Sequence, residues 1–263
     1  MWRILQNVLT RISPARLLLT VFAVTILVGA LLLMLPIAAA DGVRISALDA
    51  LFTATSAVCV TGLIVVDTGS AYSLFGQWVI LALIQAGGLG IMTFASIGFK
   101  LFGAKLPITH QQALEDCLFQ RSAAKEFSYT FPRILKIVVF IEFCGFLLIL
   151  AGTLGKMPLG NAIYSAFFHS ISAFCNAGFS IYADSLTRFS HNPVVMMAVS
   201  MLIIFGGLGH IVLRELQMGA GQLLRWRHAG PAFRFSFHSR VVLITAAVLI
   251  AGGAAAVIRT TRE

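Results

Sequence analysis

The sequence predicts an all-α membrane protein built from span–short re-entrant helix–span units, two complete and a third begun. Three observations carry that expectation: the apolar content, the placement of the charges and an internal repeat. Of the 263 residues, 59% are hydrophobic and 11% charged, whereas about a quarter of a soluble domain is charged. Five apolar segments, about 17–39, 73–102, 134–153, 193–213 and 240–258, reach the roughly 20 residues that a helix needs to cross a bilayer. Two further apolar pieces, "SALDALFTATSAV" (46–58) and "NAIYSAFFHSISAF" (161–174), are too short to cross and read as re-entrant helices.

The net charge of +9 would direct a soluble protein toward nucleic acid. In a chain whose first partner is the lipid bilayer it reports orientation instead, and no nucleic-acid partner is expected. With the N-terminus in the cytoplasm and five crossings, segments 1–16, 100–136 and 214–240 lie inside. They hold most of the 19 Lys and Arg residues, among them Arg11, Arg16, Lys100, Lys105, Arg121, Arg133, Arg225 and Arg240. Arg44, Lys156, Arg188, Arg259 and Arg262 fall outside. The positive-inside rule is met if 46–63 and 161–179 each enter and leave on one side. The first apolar run, from Leu17 to the "IAAAD" that follows Pro36, also has the flanks of a signal peptide. It exceeds the usual signal core of about 7–15 residues, so a retained helix is expected.

The repeat supports the same arrangement. "ALFTATSAVCVTGL" (50–63) aligns with "AFFHSISAFCNAGF" (166–179), pairing Ala50 with Ala166, Phe52 with Phe168, Ser56 with Ser172, Ala57 with Ala173, Cys59 with Cys175 and Gly62 with Gly178. "GGLG" then recurs at 87–90 and 206–209. Weak internal symmetry of this kind is what transporters show. The expected organisation is a first unit over 1–105, a cytoplasmic linker over 106–133, a second unit over 134–214, a second linker over 215–238, and the first span of a third unit over 239–263. The GGLG glycines read mainly as packing surface, since small residues let membrane helices approach closely.

Non-helical backbone at membrane depth is tolerated only where it is buried in protein or lines water. The residues after each short helix, Val60-Thr61-Gly62-Leu63 and Asn176-Ala177-Gly178-Phe179, are therefore expected at an aqueous path. Glycine permits backbone angles that other residues avoid, so such a turn can aim carbonyl oxygens at an ion and replace its water shell. Ser46 with Asp49 three residues later reads as a capping box, and Asn161 as the cap of the second short helix. Each short helix then ends near Cys59 or Cys175, and its C-terminal end carries partial negative charge. Carbonyls and helix C-termini both favour cations, so the chemistry implied is cation permeation.

On these residues the chain resembles a known family. "TSAVCVTGLIVVDTGSAYSLFGQWVILALIQAGGLGIMTF" (55–94) is similar to the first repeat of the Trk/Ktr/HKT potassium-transporter superfamily, nearest to its bacterial KtrB/TrkH-type membrane subunits, and "FHSISAFCNAGFS" (168–180) resembles the second repeat's pore loop. The resemblance implies four span–pore helix–span repeats around one ion path. Gly62 and Gly178 would be filter glycines, and Val60, Thr61, Leu63, Asn176, Ala177 and Phe179 would bring the neighbouring backbone of the selectivity filter. It also implies potassium as the ion carried, sodium as a coupling or activating ion, and no bound cofactor. The implied setting is a homodimer in the bacterial inner membrane, on a cytoplasmic nucleotide-binding regulatory subunit of the KtrA/TrkA type. In plant relatives a serine at the first filter glycine goes with sodium preference, and Gly62 resembles the potassium type. The third and fourth loops have no counterpart here, so a partial subunit is expected; the alternative is a non-conducting scaffold or regulatory fragment.

The remaining residues point elsewhere less strongly. Cys59, Cys117, Cys144 and Cys175 form no CxxC pair and read as small buried residues. The histidines show no metal spacing such as HExxH. Glu142, inside an apolar segment, is either a functional carboxylate or a structural partner, to Lys136 or to a neighbouring helix. His169, at the place of Thr53 in the first unit, either tunes the pore or packs. Asp67 and Asp184 follow the two turns and either enrich cations or solvate a loop. The basic, aromatic stretch 225–240 suits lipid headgroups or a docking partner. An enzyme built on Glu142 and histidines is disfavoured, because the histidines scatter over both sides.

Overall fold

The computed structural model describes residues 14–90, 123–224 and 235–260. The end of the second apolar segment (91–102), most of the 106–133 linker and residues 225–234 of the basic stretch lie outside the described residues. The chain divides into two compact units between Ile203 and Ile204.

In the first unit, α1 (Pro14–Leu33), the short α2 (Ala47–Val58), a single turn α3 (Thr68–Ala71) and α4 (Leu74–Gly88) follow in order. Then come α5 (Ala123–Thr153), α6 (Leu159–Phe174) and α7 (Pro193–Gly207), the last running into the second unit. There α8 (Gly209–Leu224) and α9 (Phe237–Thr260) complete the described chain. The described residues are almost entirely helical, and their one β-type pairing is an isolated bridge between Ala39 and Tyr72. Residues Pro132–Thr153 and Phe237–Val257 are long and apolar enough to cross a membrane. The 12 residues of α2 and the 16 of α6 reach only about 18 and 24 Å at 1.5 Å per residue, short of the roughly 30 Å hydrocarbon core. This is an all-α, multi-pass membrane protein.

The short helices pack through small residues. Ala50, Ala54 and Ala57 line one face of α2 with no exposed surface, the spacing that puts side chains on one helical stripe. That stripe meets α1 and α4. On α6, Ala162 and Ala166 are equally buried, and this helix packs on α5 and on α4. Alanine at such positions lets backbones come close where lipid offers no competing hydrophobic drive.

The caps separate the two copies. Ser46 Oγ accepts from the Asp49 N–H at 3.1 Å and the Asp49 carboxylate accepts from the Ser46 N–H at 3.3 Å, the expected capping box. In the second copy the expectation of an Asn161 cap fails. The helix starts at Leu159 with Pro158 before it, and no side chain caps it. Pro158 already holds the extended conformation that precedes a helix (φ −54°, ψ 141°), so entry occurs upstream and Asn161 sits within the first turn.

The two copies are joined by polar bonds. The Tyr164 hydroxyl on α6 donates to Gln77 Oε1 on α4 at 2.8 Å, while Gln77 Nε2 donates to the Tyr72 carbonyl at 2.9 Å. Deeper in, Gln85 Nε2 on α4 donates to Glu142 Oε1 on α5 at 3.0 Å. The partner of Glu142 is thus on a neighbouring helix and is not Lys136.

Candidate functional site

Both short helices end in the same way. After α2, the N–H of Val60 bonds the carbonyl of Ala57 (3.3 Å) and that of Thr61 bonds Ser56 (3.0 Å). After α6, Asn176 bonds Ala173 (3.0 Å) and Ala177 bonds Ser172 (2.8 Å). These paired bonds make a Schellman motif, which requires a left-handed residue just past the cap. Val60 and Asn176 supply it, at φ +56° and +58°. Asparagine tolerates this region, but a β-branched valine there is a genuine outlier, and such strain persists only where its surroundings impose it.

Two residues on, the backbone turns left-handed again, at Gly62 (φ +73°) and Gly178 (φ +71°). Two left-handed residues separated by one ordinary residue, repeated 116 positions apart, make the loops conformational copies. They also meet. A β-carbon built on Gly62 would lie 2.5 Å from the Ala177 carbonyl oxygen and 3.2 Å from Gly178 Cα, and one on Gly178 would lie 3.5 Å from Gly62 Cα. The N–H groups of Thr61 and Ala177 are turned back into their helices. Among the described residues no donor engages the carbonyls of Val60, Thr61, Gly62, Asn176, Ala177 or Gly178. The Phe179 carbonyl, by contrast, accepts from Ser172 Oγ at 2.7 Å, and Leu63 is largely exposed.

The first GGLG motif seats the loops, whereas a β-carbon on Gly207 or Gly209 of the second would meet nothing within 4 Å among the described residues. A side chain at Gly87 would strike the Val58 carbonyl at the end of α2, and one at Gly88 would strike Cys175 at the end of α6. The helix α4 therefore touches both loop ends through bare backbone. The last glycine of each motif, Gly90 and Gly209, is left-handed (φ +79° and +78°), so the motifs share a turn conformation as well as a sequence. Cys175 is buried and its Sγ donates to Gln85 Oε1 at 3.6 Å, whereas Cys59 is exposed.

The two acidic residues near the loops are occupied by local structure. Asp67 Oδ1 accepts from the N–H groups of Gly69 (2.7 Å) and Ser70 (3.0 Å) and caps α3. Asp184 pairs with Arg188 at 2.8 Å, and that hydrogen bond holds its carboxyl below the usual carboxylate range. The described residues contain no cluster of three or more His, Cys, Asp or Glu able to hold a metal ion. Among the described residues, what the two loops bring together is backbone: Gly62 against Ala177 and Gly178, just past the C-termini of α2 and α6.

Residues 17–258 match the TrkH family, described as a cation transport protein. The chain belongs to that family. It is 36% identical over 239 residues to the Ktr system potassium uptake protein B of Vibrio alginolyticus, covering 90% of this chain and 50% of the relative. With the protein of the same name from Bacillus subtilis it shares 38% over 206 residues, 78% of this chain and 46% of the relative. The potassium/sodium uptake protein NtpJ of Enterococcus hirae is 35% identical over 248 residues, 94% of this chain and 52% of the relative. The chain spans about half the length of these relatives.

What the sequence missed lies behind the second loop. His169, Ser180, Ser165 and Tyr182 form a connected set with no fixed spacing. The signal available was the exchange of Thr53 for His169 at matched positions of an otherwise similar repeat.

Proposed function

We propose that this chain forms part of a potassium-uptake membrane subunit, in which dehydrated cations pass along backbone carbonyls of the Val60–Leu63 and Asn176–Phe179 loops. The observation that carries the reading is the pairing of two conformationally identical loops, each left-handed at its first and third residues, with Gly62 against Ala177 and Gly178. Unengaged carbonyls at the negative ends of α2 and α6 suit a cation, and a ring of carbonyls can replace its hydration shell. The names of the relatives support potassium as the cargo, and one of them also names sodium, which we read as a coupling or activating ion. Two loops make part of a ring, so further units of the same kind complete it.

We infer the remaining assignments from the family resemblance and from the charge pattern. The subunit lies in the bacterial inner membrane with its N-terminus in the cytoplasm. It pairs as a homodimer on a cytoplasmic nucleotide-binding regulatory subunit, and it performs permeation without chemical conversion of a substrate. The test is uptake of rubidium and sodium by potassium-uptake-deficient cells that express the full-length gene product with Gly62 or Gly178 substituted. Loss of ion preference at normal membrane abundance supports the filter reading. Unchanged uptake and unchanged preference in both variants remove it.

A further inference from the structure

The two loops share a backbone but are braced differently from behind. In the first copy Thr53, at the place matched to His169, accepts from the distant Tyr72 hydroxyl at 3.1 Å. The position matched to Ser180 is Ile64, which is exposed. The first loop is thus tied to its helix mainly through Thr61 and Ser56 (Oγ1 to Oγ, 3.0 Å).

In the second copy His169 is 3% exposed and bonded at both nitrogens. Its Nδ1 lies 2.8 Å from the Ser165 carbonyl, an oxygen that only accepts, so Nδ1 carries the proton. Nε2 is then an acceptor and receives a hydrogen bond from the Ser180 hydroxyl at 2.9 Å. Ser180 Oγ in turn accepts the Tyr182 N–H at 3.0 Å. The Tyr182 hydroxyl returns to Ser165 Oγ at 2.7 Å, and its ring stacks on the imidazole with centroids 5.2 Å apart and planes 14° from parallel. The Arg188 guanidinium lies over the Tyr182 ring, 4.0 Å from its centroid. The ring of bonds closes on α6 itself and grips the chain two residues after Gly178.

We propose that His169 is a positioning residue for the second loop: through Ser180 it fixes the backbone leaving Gly178, and thereby the carbonyls that discriminate between ions. It does not touch the ion. Ser172 fixes the intervening Phe179 carbonyl from the same helix, so α6 holds the chain on both sides of Gly178, at Asn176 and Ala177 through their N–H groups and at Phe179 and Ser180 through side chains. The proposal rests on the filter reading above.

The experiment measures the rubidium-to-sodium uptake ratio in the full-length gene product, normalised to membrane abundance, for His169→Asn, His169→Gln, Ser180→Ala and the His169→Asn/Ser180→Ala pair, with Gly62→Ala alongside. Asparagine reaches only the Nδ1 position, whereas glutamine places an amide oxygen near Nε2. One neutral hydrogen bond corresponds to about a five-fold change, so His169→Asn and Ser180→Ala are expected to lower the ratio by about that factor. His169→Gln restores most of it, and the double variant is no worse than either single, as expected of residues acting through one contact. Ser180→Ala removes one half-buried hydroxyl and keeps the assay informative if His169→Asn fails to accumulate. An unchanged ratio in Ser180→Ala, or additive losses in the pair, with Gly62→Ala still altering preference, overturns the proposal and leaves the filter reading standing. An unchanged ratio in every variant, Gly62→Ala included, removes both.

Discussion

Gly62 and Gly178 have nearly the same backbone angles but different surroundings, and this separates two consequences of substitution. A β-carbon on Gly62 would lie 2.5 Å from the Ala177 carbonyl oxygen, below the 3.0 Å that real contacts respect. Clearing it to between 3.0 and 3.4 Å displaces that carbonyl by about 0.5–0.9 Å, beyond the roughly 0.5 Å within which a functional constellation must hold. The same substitution at Gly178 meets only Gly62 Cα at 3.5 Å, an ordinary contact. Both variants bear the left-handed cost of about 1–2 kcal/mol; only Gly62→Ala also moves a proposed ion-facing oxygen. Gly62→Ala is therefore expected to lower the rubidium-to-sodium uptake ratio about ten-fold or more, equivalent to about 1.4 kcal/mol of discrimination. Gly178→Ala should change it several-fold less at comparable loss of thermal stability. The ratio is read in uptake-deficient cells and stability by thermal unfolding of detergent-purified protein. Equal loss of preference in the two variants, or a larger loss at Gly178, refutes the reasoning.

Other outcomes follow from single contacts. Glu142→Leu strands the Gln85 amide in an apolar setting and should cost about 1–3 kcal/mol, read as a lowered melting temperature; Glu142→Gln keeps an oxygen acceptor and should cost less. Ser46→Ala removes half of the capping box and should cost about 1 kcal/mol, whereas Asn161→Ala should leave stability nearly unchanged because Asn161 caps nothing. The Asp184–Arg188 contact depresses the Asp184 pKa, so its contribution is present above the carboxyl's unfolded pKa and fades as pH falls through the lowered folded value. Melting curves of wild type and Asp184→Asn should differ slightly at neutral pH and converge in acid; a difference that grows in acid contradicts the assignment.

Features that depend on neighbours in sequence were legible, and those that depend on partners across space were not. The Ser46–Asp49 box and the brevity of α2 and α6 are local, and reading finds them. The repeat located both loops, since a matched glycine in each copy survives any packing detail. Asn161 misled because a good capping residue lies just after Pro158, and proline's fixed φ starts the helix first. The left-handed conformation of Val60 could not be read, because valine is a poor choice there and only the closing bonds of the helix end impose it. Gln85 as the partner of Glu142 was hidden for another reason: the two residues lie on separate helices 57 positions apart. Packing surface describes the first GGLG motif, where Gly87 and Gly88 pack on the ends of both loops, but Gly207 and Gly209 of the second have no close neighbour among the described residues, a tertiary difference that identical sequences hide.

In the proposed function, backbone oxygens of these paired loops hold the ion. Rubidium located by anomalous scattering in crystals of the full-length protein tests it most directly. A peak is expected between the Gly62 and Gly178 loops, within coordination distance of their carbonyl oxygens and away from side-chain carboxylates. A peak at Asp67, Asp184 or Glu142, with the space between the loops empty, contradicts it.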